Sequence, residues 1–166
     1  MKKQINYGSI IERFNEQLPA GVFLNSSYND EFNTMTIGWA TVGIIWGKPI
    51  VCVAVRESRH TFSIMEKSNK FVISIPRKGE LKKELAFCGT NSGIDSDKFT
   101  VCGFRKDIII DKCDLHIECD VIYKQFMDQN NLKENIKDRY YSNNDYHMFY
   151  FGEIKDCYYT EEEEVK

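Results

Sequence analysis

Two arginines and two hydroxyl side chains stand close together in the segment VRESRHTF. Arg56, Ser58, Arg59 and Thr61 follow the uncharged run IVCVAV, and a helix is predicted to begin among them. The first N–H groups of a helix have no partner within it and carry partial positive charge. Guanidinium and hydroxyl groups beside such a helix start could therefore hold a phosphate. Taken alone, the segment is more typical of an ordinary helix start with solvated arginines.

A second candidate for anion binding is the loop FCGTNSGIDSDKF. Gly89 and Gly93 let the backbone turn and present successive amides, and Lys98 follows at the start of a predicted helical turn. The spacing is not that of a P-loop. Asp95 and Asp97 also lack the glycine and glutamate of a calcium-binding EF-hand. Taken alone, this loop is more typical of a surface connection.

Neither a metal site nor a catalytic acid or base is predicted. Cys113, His116 and Cys119 lie in CDLHIECDV, where alternation places the histidine on the face opposite the two sulfurs. Zinc needs several converging ligands, so this spacing does not favour a zinc site. No Ser-His-Asp or Cys-His pairing is indicated by chain order. His147 opens the aromatic segment HMFYFGEI, where a single histidine is more often structural.

Composition limits the classes of partner. The 166 residues are 42% hydrophobic with a net charge of -3, which suits one domain, residues 1–166, with a sizeable core. No overall basic field favours nucleic acid or a membrane surface, so any phosphate site must be local. No signal segment or membrane span is predicted, because polar residues interrupt every apolar run. The expectation is a cytoplasmic protein whose six cysteines are reduced thiols, several of them buried.

The longest uncharged stretch is NTMTIGWATVGIIWGKPIVCVAV, residues 33–55, in which Lys48 is the one charged side chain. Its β-branched residues and glycines favour strands over a helix. We predict that most of it forms two adjacent strands joined at WGKP, which contribute to the core. Trp39 and Trp46, one on either side of its middle, are more typical of core residues than of ligand contacts.

The remaining elements are short and strands outnumber helices. Helices are predicted in YGSIIERFNEQLPAG, after Ser58 as N-cap, and in GELKKELAFCGT with Gly89 as its stop. Further strands are predicted in GVFLNSSYND, FVISIP, CDLHIECDVIY and HMFYFGEI. Residues 127–146 are predicted to be a polar, lid-like insertion, and residues 160–166 a solvated acidic tail. The fold class is therefore mainly β, a closed or partly closed β-barrel with short α-helices.

Taken together and in order, three segments resemble the flavin reductase-like family, with flavoredoxins as its most similar group. They are FNTMTIGWATVGIIWGKPIVCVAVRESRHTFSIMEKSNKFVIS, FCGTNSGIDSDKF and DYHMFYFGEI, and the resemblance covers roughly residues 19–155. It implies an FMN-binding split barrel, usually a homodimer with non-covalent FMN near the interface. The implied activity is that of an NAD(P)H-dependent flavin oxidoreductase, with NADH or NADPH as co-substrate. The alternative is an FMN electron carrier without direct NAD(P)H activity. The electrons would pass to free flavin or a redox partner protein.

The resemblance also implies which residues contact the cofactor. The ring would lie against the strand that begins at Asn33, the phosphate would lie near the two arginines, and His147 would lie beside the flavin. One departure from relatives is His60, which stands between Arg59 and Thr61. The implied cofactor-binding residues are Asn33, Met35, Thr36, Trp39, Arg56, Ser58, Arg59, Thr61, Ser92, Gly93, Lys98 and His147.

Overall fold

A computed structural model describes residues 2–160, which form an eight-stranded antiparallel sheet with short helices packed on it. This confirms the predicted fold class. The strands are β1 (Lys2–Gln4), β2 (Val22–Tyr28), β3 (Glu31–Ile37), β4 (Ala40–Ile45), β5 (Lys48–Arg56), β6 (Lys70–Ile75), β7 (Leu115–Phe126) and β8 (His147–Thr160). The helices are α1 (Ile11–Gln17), α2 (His60–Ser68), α3 (Lys82–Thr90), α4 (Lys98–Cys102) and α5 (Glu134–Tyr140), with 3-10 turns at Tyr7–Ile10, Leu18–Ala20 and Gln129–Asn131.

The sheet curls because its two terminal strands are neighbours in the chain. The strand order is β3-β2-β6-β7-β8-β5-β4, with β1 added to β8, yet only Gly38 and Trp39 separate β3 from β4. The Ala54 N–H donates to the Trp39 carbonyl at 3.3 Å, which brings this link against β5. Alternate residues of β5, Val51, Val53 and Val55, are fully buried in the main core. The result is a partly closed barrel around one apolar interior.

The uncharged stretch contains three strands rather than two. β3 pairs with β2, and the adjacent hairpin is β4 with β5. Trp46 and Gly47 form its two-residue turn with φ of 55° and 69°, the geometry of a type I′ turn. The predicted core position of both tryptophans is wrong, since Trp39 is 44% and Trp46 59% exposed. Both lie at the margin of the sheet, where an uncharged side chain need not be buried.

Two helix boundaries also differ from the prediction. α2 begins at His60 with Arg59 as its N-cap residue, because the Ser58 hydroxyl donates to Asp145 Oδ2 at 2.6 Å instead of capping the helix. α3 continues through Gly89 to Thr90. A Cβ on Gly89 would lie 3.4 Å from the Thr36 Cβ, so this glycine serves close packing between α3 and β3.

The polar segment 127–146 is partly folded onto the barrel. It contains a 3-10 turn and α5, and it ends with Tyr141 and Tyr146 buried. The predicted acidic tail lies outside the described residues, apart from Thr160, which ends β8. All six cysteines are free thiols and all except Cys52 are buried, as predicted. Among residues 2–160, no helix has the length and hydropathy that crossing a membrane requires.

Candidate functional site

A cleft of about 210 Å³ opens beside the link between β3 and β4. β3, β5, the start of α2 and the first residue of β8 all contribute to it. Of the residues named from sequence, Met35, Thr36, Trp39, Arg56, Arg59 and His147 line this cleft. The fold therefore brings together residues from three separate sequence segments. Ile37, Gly38 and Ala54 complete the lining and were not named from sequence.

One wall of the cleft is the free edge of β3. Because β3 ends the strand order, alternate residues direct their main-chain groups away from β2. The Thr34 carbonyl is one of these, since it accepts from Lys98 Nζ at 2.8 Å. Thr36, two residues further along, has the same backbone direction and lines the cleft. The edge thus offers main-chain hydrogen-bonding groups next to the apolar side chains of Met35 and Ile37.

Both guanidinium groups at the cleft are held in place by main-chain carbonyls. Arg59 donates to the carbonyls of Gly89 at 2.8 Å and Cys88 at 3.2 Å, which connects α2 to α3. Arg56 donates to the carbonyls of Asp145 and Tyr140. Burial lowers the pKa of Arg59; the negative charge of Asp145 opposes this shift, and the positive charge of Arg56 adds to it. The two arginines therefore place fixed positive charge at the cleft.

Lys98 lies at the free edge of β3 and not in the cleft lining. Its side chain is 3% exposed, and Nζ donates to the carbonyls of Thr34 at 2.8 Å and Cys88 at 3.1 Å. Burial lowers the pKa of Lys98 to about 8. The ammonium group thus connects β3 to α3, and it adds positive charge near the cleft.

The other polar residues named from sequence are not part of the cleft lining. Asn33 Nδ2 donates to Thr61 Oγ1 at 2.8 Å, and both side chains are buried. Gly93 packs against this pair, because a Cβ there would lie 2.1 Å from Asn33 Oδ1. Ser92 Oγ accepts from the N–H of Ile94 at 3.2 Å within its own loop. Ser58 is bonded to Asp145, as described above.

His147 is packed between aromatic residues. Its ring centroid lies 5.1 Å from that of Trp39, and its Nδ1 lies 2.7 Å from the Tyr141 hydroxyl oxygen. Burial, and then the charge of Arg56, lower the pKa of His147 to about 4, so the ring is neutral near pH 7. Tyr140 also packs edge-on against Trp39, with centroids 5.1 Å apart.

Residues Tyr140, Tyr141 and Asp145 were missed by sequence reasoning, although all three contact residues of the cleft lining. They come from the polar segment 127–146, whose only sequence signal was a pair of tyrosines among polar residues. Ala54 could have been found, because residues 54 and 56 of a strand point to the same side. Within the described residues, no cluster of metal-ligating side chains is present.

Comparison with known proteins gives one family model, described as flavin reductase like domain, that matches residues 15–166. An uncharacterized protein of Pyrococcus abyssi is 33% identical over 101 residues. That match covers 58% of this chain and 58% of the relative, so less than two thirds of the relative's length is spanned.

Solved structures are similar in fold at lower sequence identity. Flavoredoxin from Methanosarcina acetivorans has a TM-score of 0.63 at 23% identity, covering 85% of this chain and 68% of that one. An FMN-binding domain of a flavin reductases-like enzyme from Shewanella baltica has a TM-score of 0.68 at 17% identity, covering 96% of this chain and 77% of that one. An NADH:FAD oxidoreductase from Streptomyces globisporus has a TM-score of 0.59 at 14% identity, covering 82% and 73%.

Proposed function

The chain belongs to the flavin reductase-like family, and from this premise we propose that it binds FMN non-covalently in the cleft and acts as an NAD(P)H-dependent flavin oxidoreductase. The electron donor would be NADH or NADPH. The acceptor would be free flavin or a redox partner protein. The sequence and structure together give no residue the role of catalytic acid or base, so the chain's contribution is to bind and orient the flavin.

The cleft residues fit the chemistry of FMN, which joins a flat and largely apolar ring with polar edges to a charged tail. Met35, Ile37 and Ala54 supply apolar wall, and the free edge of β3 supplies main-chain groups for a polar ring edge. A volume of 210 Å³ is below the roughly 300–1,000 Å³ that encloses a drug-sized ligand. The cleft would therefore hold part of the flavin and leave the rest accessible to a second reactant.

The observation that carries the proposal is the excess of positive charge around the cleft. Arg56 and Arg59 line the cleft, and Lys98 binds the Thr34 carbonyl in the strand that forms one wall. Within residues 2–160, neither Arg59 nor Lys98 forms an ion pair with a carboxylate; their hydrogen bonds go to main-chain carbonyls. Asp145 is an acidic neighbour of both arginines: it lies 3.9 Å from Arg56, and its charge also opposes the lowering of the Arg59 pKa that burial causes. A phosphate would balance this charge in a chain whose overall charge is negative.

Bound FMN would supply the redox chemistry, since this cofactor can accept a hydride from a nicotinamide and pass electrons onward. The protein would supply a wall that excludes water from one side of the ring. It would also supply cations that hold the tail, and neutral His147 at the rim.

Spectroscopy of the purified protein tests the proposal in two steps. Titration with FMN should show saturable binding, seen as quenching of flavin fluorescence. Rapid anaerobic mixing of the complex with NADH, and separately with NADPH, should then bleach the flavin absorption band. No binding of FMN would refute the proposal as a whole. Binding without bleaching by either nicotinamide would refute the reductase and leave the carrier described next.

The second candidate is an FMN electron carrier that receives electrons from a partner protein. It is favoured by the exposure of Trp39, 44%, at the edge of the cleft, because electron transfer between proteins requires a cofactor near the surface. In the same mixing experiment, the flavin absorption of such a carrier would be bleached only after a partner reductase is added.

We also propose that the protein is a cytoplasmic homodimer. The β4–β5 hairpin exposes Ile44 and Trp46 for 56% and 59% of their surface, and Trp46 contacts the rings of Tyr123 and Phe151. Contiguous exposed apolar side chains of this kind commonly mark an interaction surface. Sedimentation equilibrium should give twice the chain mass, and Trp46→Lys should shift the equilibrium toward the monomer. A wild-type monomer at micromolar concentration would contradict this part of the proposal.

A further inference from the structure

The hydrogen bond between Tyr141 and His147 connects the polar segment 127–146 to the cleft. The Tyr141 hydroxyl oxygen lies 2.7 Å from His147 Nδ1, and the tyrosine side chain is only 3% exposed. The His147 ring itself lines the cleft. Within residues 2–160, Nε2 of this ring has no hydrogen-bond partner, so it is the ring nitrogen available to a ligand.

The direction of this hydrogen bond follows from the surroundings of the tyrosine. If Nδ1 carried the proton and donated it, the Tyr141 O–H would need another acceptor. The part of the chain that the structure describes offers none, and a buried hydroxyl without an acceptor is destabilising. If the hydroxyl donates to Nδ1, both buried groups are satisfied. A neutral imidazole that accepts at Nδ1 carries its proton at Nε2.

Several contacts keep the Tyr141 hydroxyl in place. The ring stacks on that of Tyr146, with centroids 4.9 Å apart and planes 14° from parallel. The guanidinium carbon of Arg56 lies 5.2 Å from the Tyr141 ring centroid, within cation–π range. Arg56 also donates to the carbonyls of Tyr140 and Asp145, on either side of this tyrosine in the chain. The tyrosine is therefore held by ring contacts with Tyr146 and Arg56, and Arg56 also binds the backbone on either side of it.

We propose that Tyr141 is a positioning residue that fixes His147 as the Nε2–H tautomer, so that the cleft presents one N–H donor to an acceptor atom on the polar edge of a bound flavin. This inference rests on the proposed function for the identity of the ligand. The low pKa of His147, about 4, is consistent with it, since a neutral ring with a fixed proton offers one donor and no charge at neutral pH. Tyr141 does not line the cleft, so it acts through the histidine.

The tautomer can be measured without any ligand. Long-range 1H–15N spectra of the uniformly labelled protein at pH 7.5 separate protonated from unprotonated ring nitrogens, and the chain has only 3 histidines to assign. The expected spectrum has the His147 Nε2 at the shift of a protonated nitrogen and Nδ1 at that of an acceptor. The opposite assignment, or averaged shifts for both nitrogens, would overturn the inference.

Two tyrosine variants test the role of Tyr141. Tyr141→Phe should let both tautomers form, so the two 15N shifts of His147 should move toward each other. FMN affinity should fall roughly 2- to 10-fold, the effect of one neutral hydrogen bond. Tyr146→Phe is the matched control, since it keeps the stacked ring and its hydroxyl bonds to Gln129 instead. It should leave the His147 shifts and FMN affinity unchanged.

The outcomes separate this inference from the proposed function. Unchanged His147 shifts in Tyr141→Phe would overturn the positioning role even if the protein binds FMN. A wild-type protein that does not bind FMN would overturn the proposed function and the assignment of the ligand. The ligand-free spectrum would still decide whether the tautomer is fixed.

Discussion

Replacing Arg59 by alanine provides the sharpest test of where the phosphate of FMN lies. Arg59 lines the cleft, and its guanidinium donates to the carbonyls of Cys88 and Gly89. A charge-assisted hydrogen bond to phosphate contributes about 1.5–3 kcal/mol. Its loss should therefore raise the Kd for FMN about 10- to 100-fold, at about 1.4 kcal/mol per factor of ten. Riboflavin, which has no phosphate, should lose far less affinity.

The variant also loses the connection from α2 to α3, so stability must be measured beside affinity. The Gly89 carbonyl loses its donor while the Cys88 carbonyl keeps Lys98, so the unfolding free energy should fall by about 1–3 kcal/mol. Fluorescence titrations with FMN and riboflavin should therefore be run well below the midpoint of thermal unfolding. Arg105→Ala is the control, because the Arg105 side chain is 75% exposed and pairs with Asp111 at 3.3 Å away from the cleft. Unchanged FMN affinity would place the phosphate elsewhere. Equal losses for FMN and riboflavin would show that Arg59 is structural.

Three further predictions concern the supports of the cleft and the core. Lys98→Met should lower the unfolding free energy in urea by about 1–3 kcal/mol, because the buried Thr34 carbonyl loses its donor, whereas the Cys88 carbonyl keeps Arg59. No loss would show that the Thr34 carbonyl finds another partner. Gly93→Ala should lower the unfolding free energy by about 1–3 kcal/mol, since a Cβ would lie 2.1 Å from Asn33 Oδ1. The control Gly43→Ala should lower it far less, because a Cβ there would have nothing within 4 Å. Equal losses of unfolding free energy in the two variants would contradict the close contact. The pKa of buried His116 is lowered to about 4, chiefly by burial, so unfolding takes up a proton below about pH 6.5. The stabilisation from neutral His116 should be complete above pH 6.5 and be lost toward pH 4, at up to about 1.4 kcal/mol per pH unit. If His116→Asn shows the same change of unfolding free energy with pH as the wild type in urea titrations, this prediction is wrong.

The elements that sequence predicted well are those with local causes. β5 follows from its continuous apolar run IVCVAV, and the buried Ile64 and Met65 lie in the helix that was predicted after Ser58. The boundary at Ser58 was wrong because a residue far along the chain, Asp145, competes for its hydroxyl. A local sequence pattern cannot indicate this hydrogen bond to a distant residue. The predicted number of strands in residues 33–55 was wrong for a related reason. The strand is interrupted at Gly38 because β3 pairs with β2 whereas β4 pairs with β5, and the residues around Gly38 do not indicate those partners.

The site was predicted best where its residues are close in sequence. Arg56 and Arg59 could be named because they follow a buried strand, and the cleft contains both. The burial of Lys98 could not be predicted, because a lysine among polar residues gives no sign that its ammonium will bond two carbonyls of other elements. The contribution of Tyr141 could not be predicted either. It depends on a hydrogen bond to the residue that begins β8, and hydrophobic periodicity carries no information about such pairs.

The position of the cleft follows from the incomplete closure of the barrel. A terminal strand leaves a row of unpaired main-chain groups, which natural proteins usually cover. In β3, Lys98 covers the Thr34 carbonyl, while Thr36 lines the cleft. Full pairing of β3 with β4 would have used these groups in the sheet and removed the cleft. Because Gly38 and Trp39 connect the two strands without pairing them, an apolar wall, free main-chain groups and the arginines at the end of β5 lie together. The same break in the sheet therefore creates the cleft and leaves Trp39 exposed at its edge.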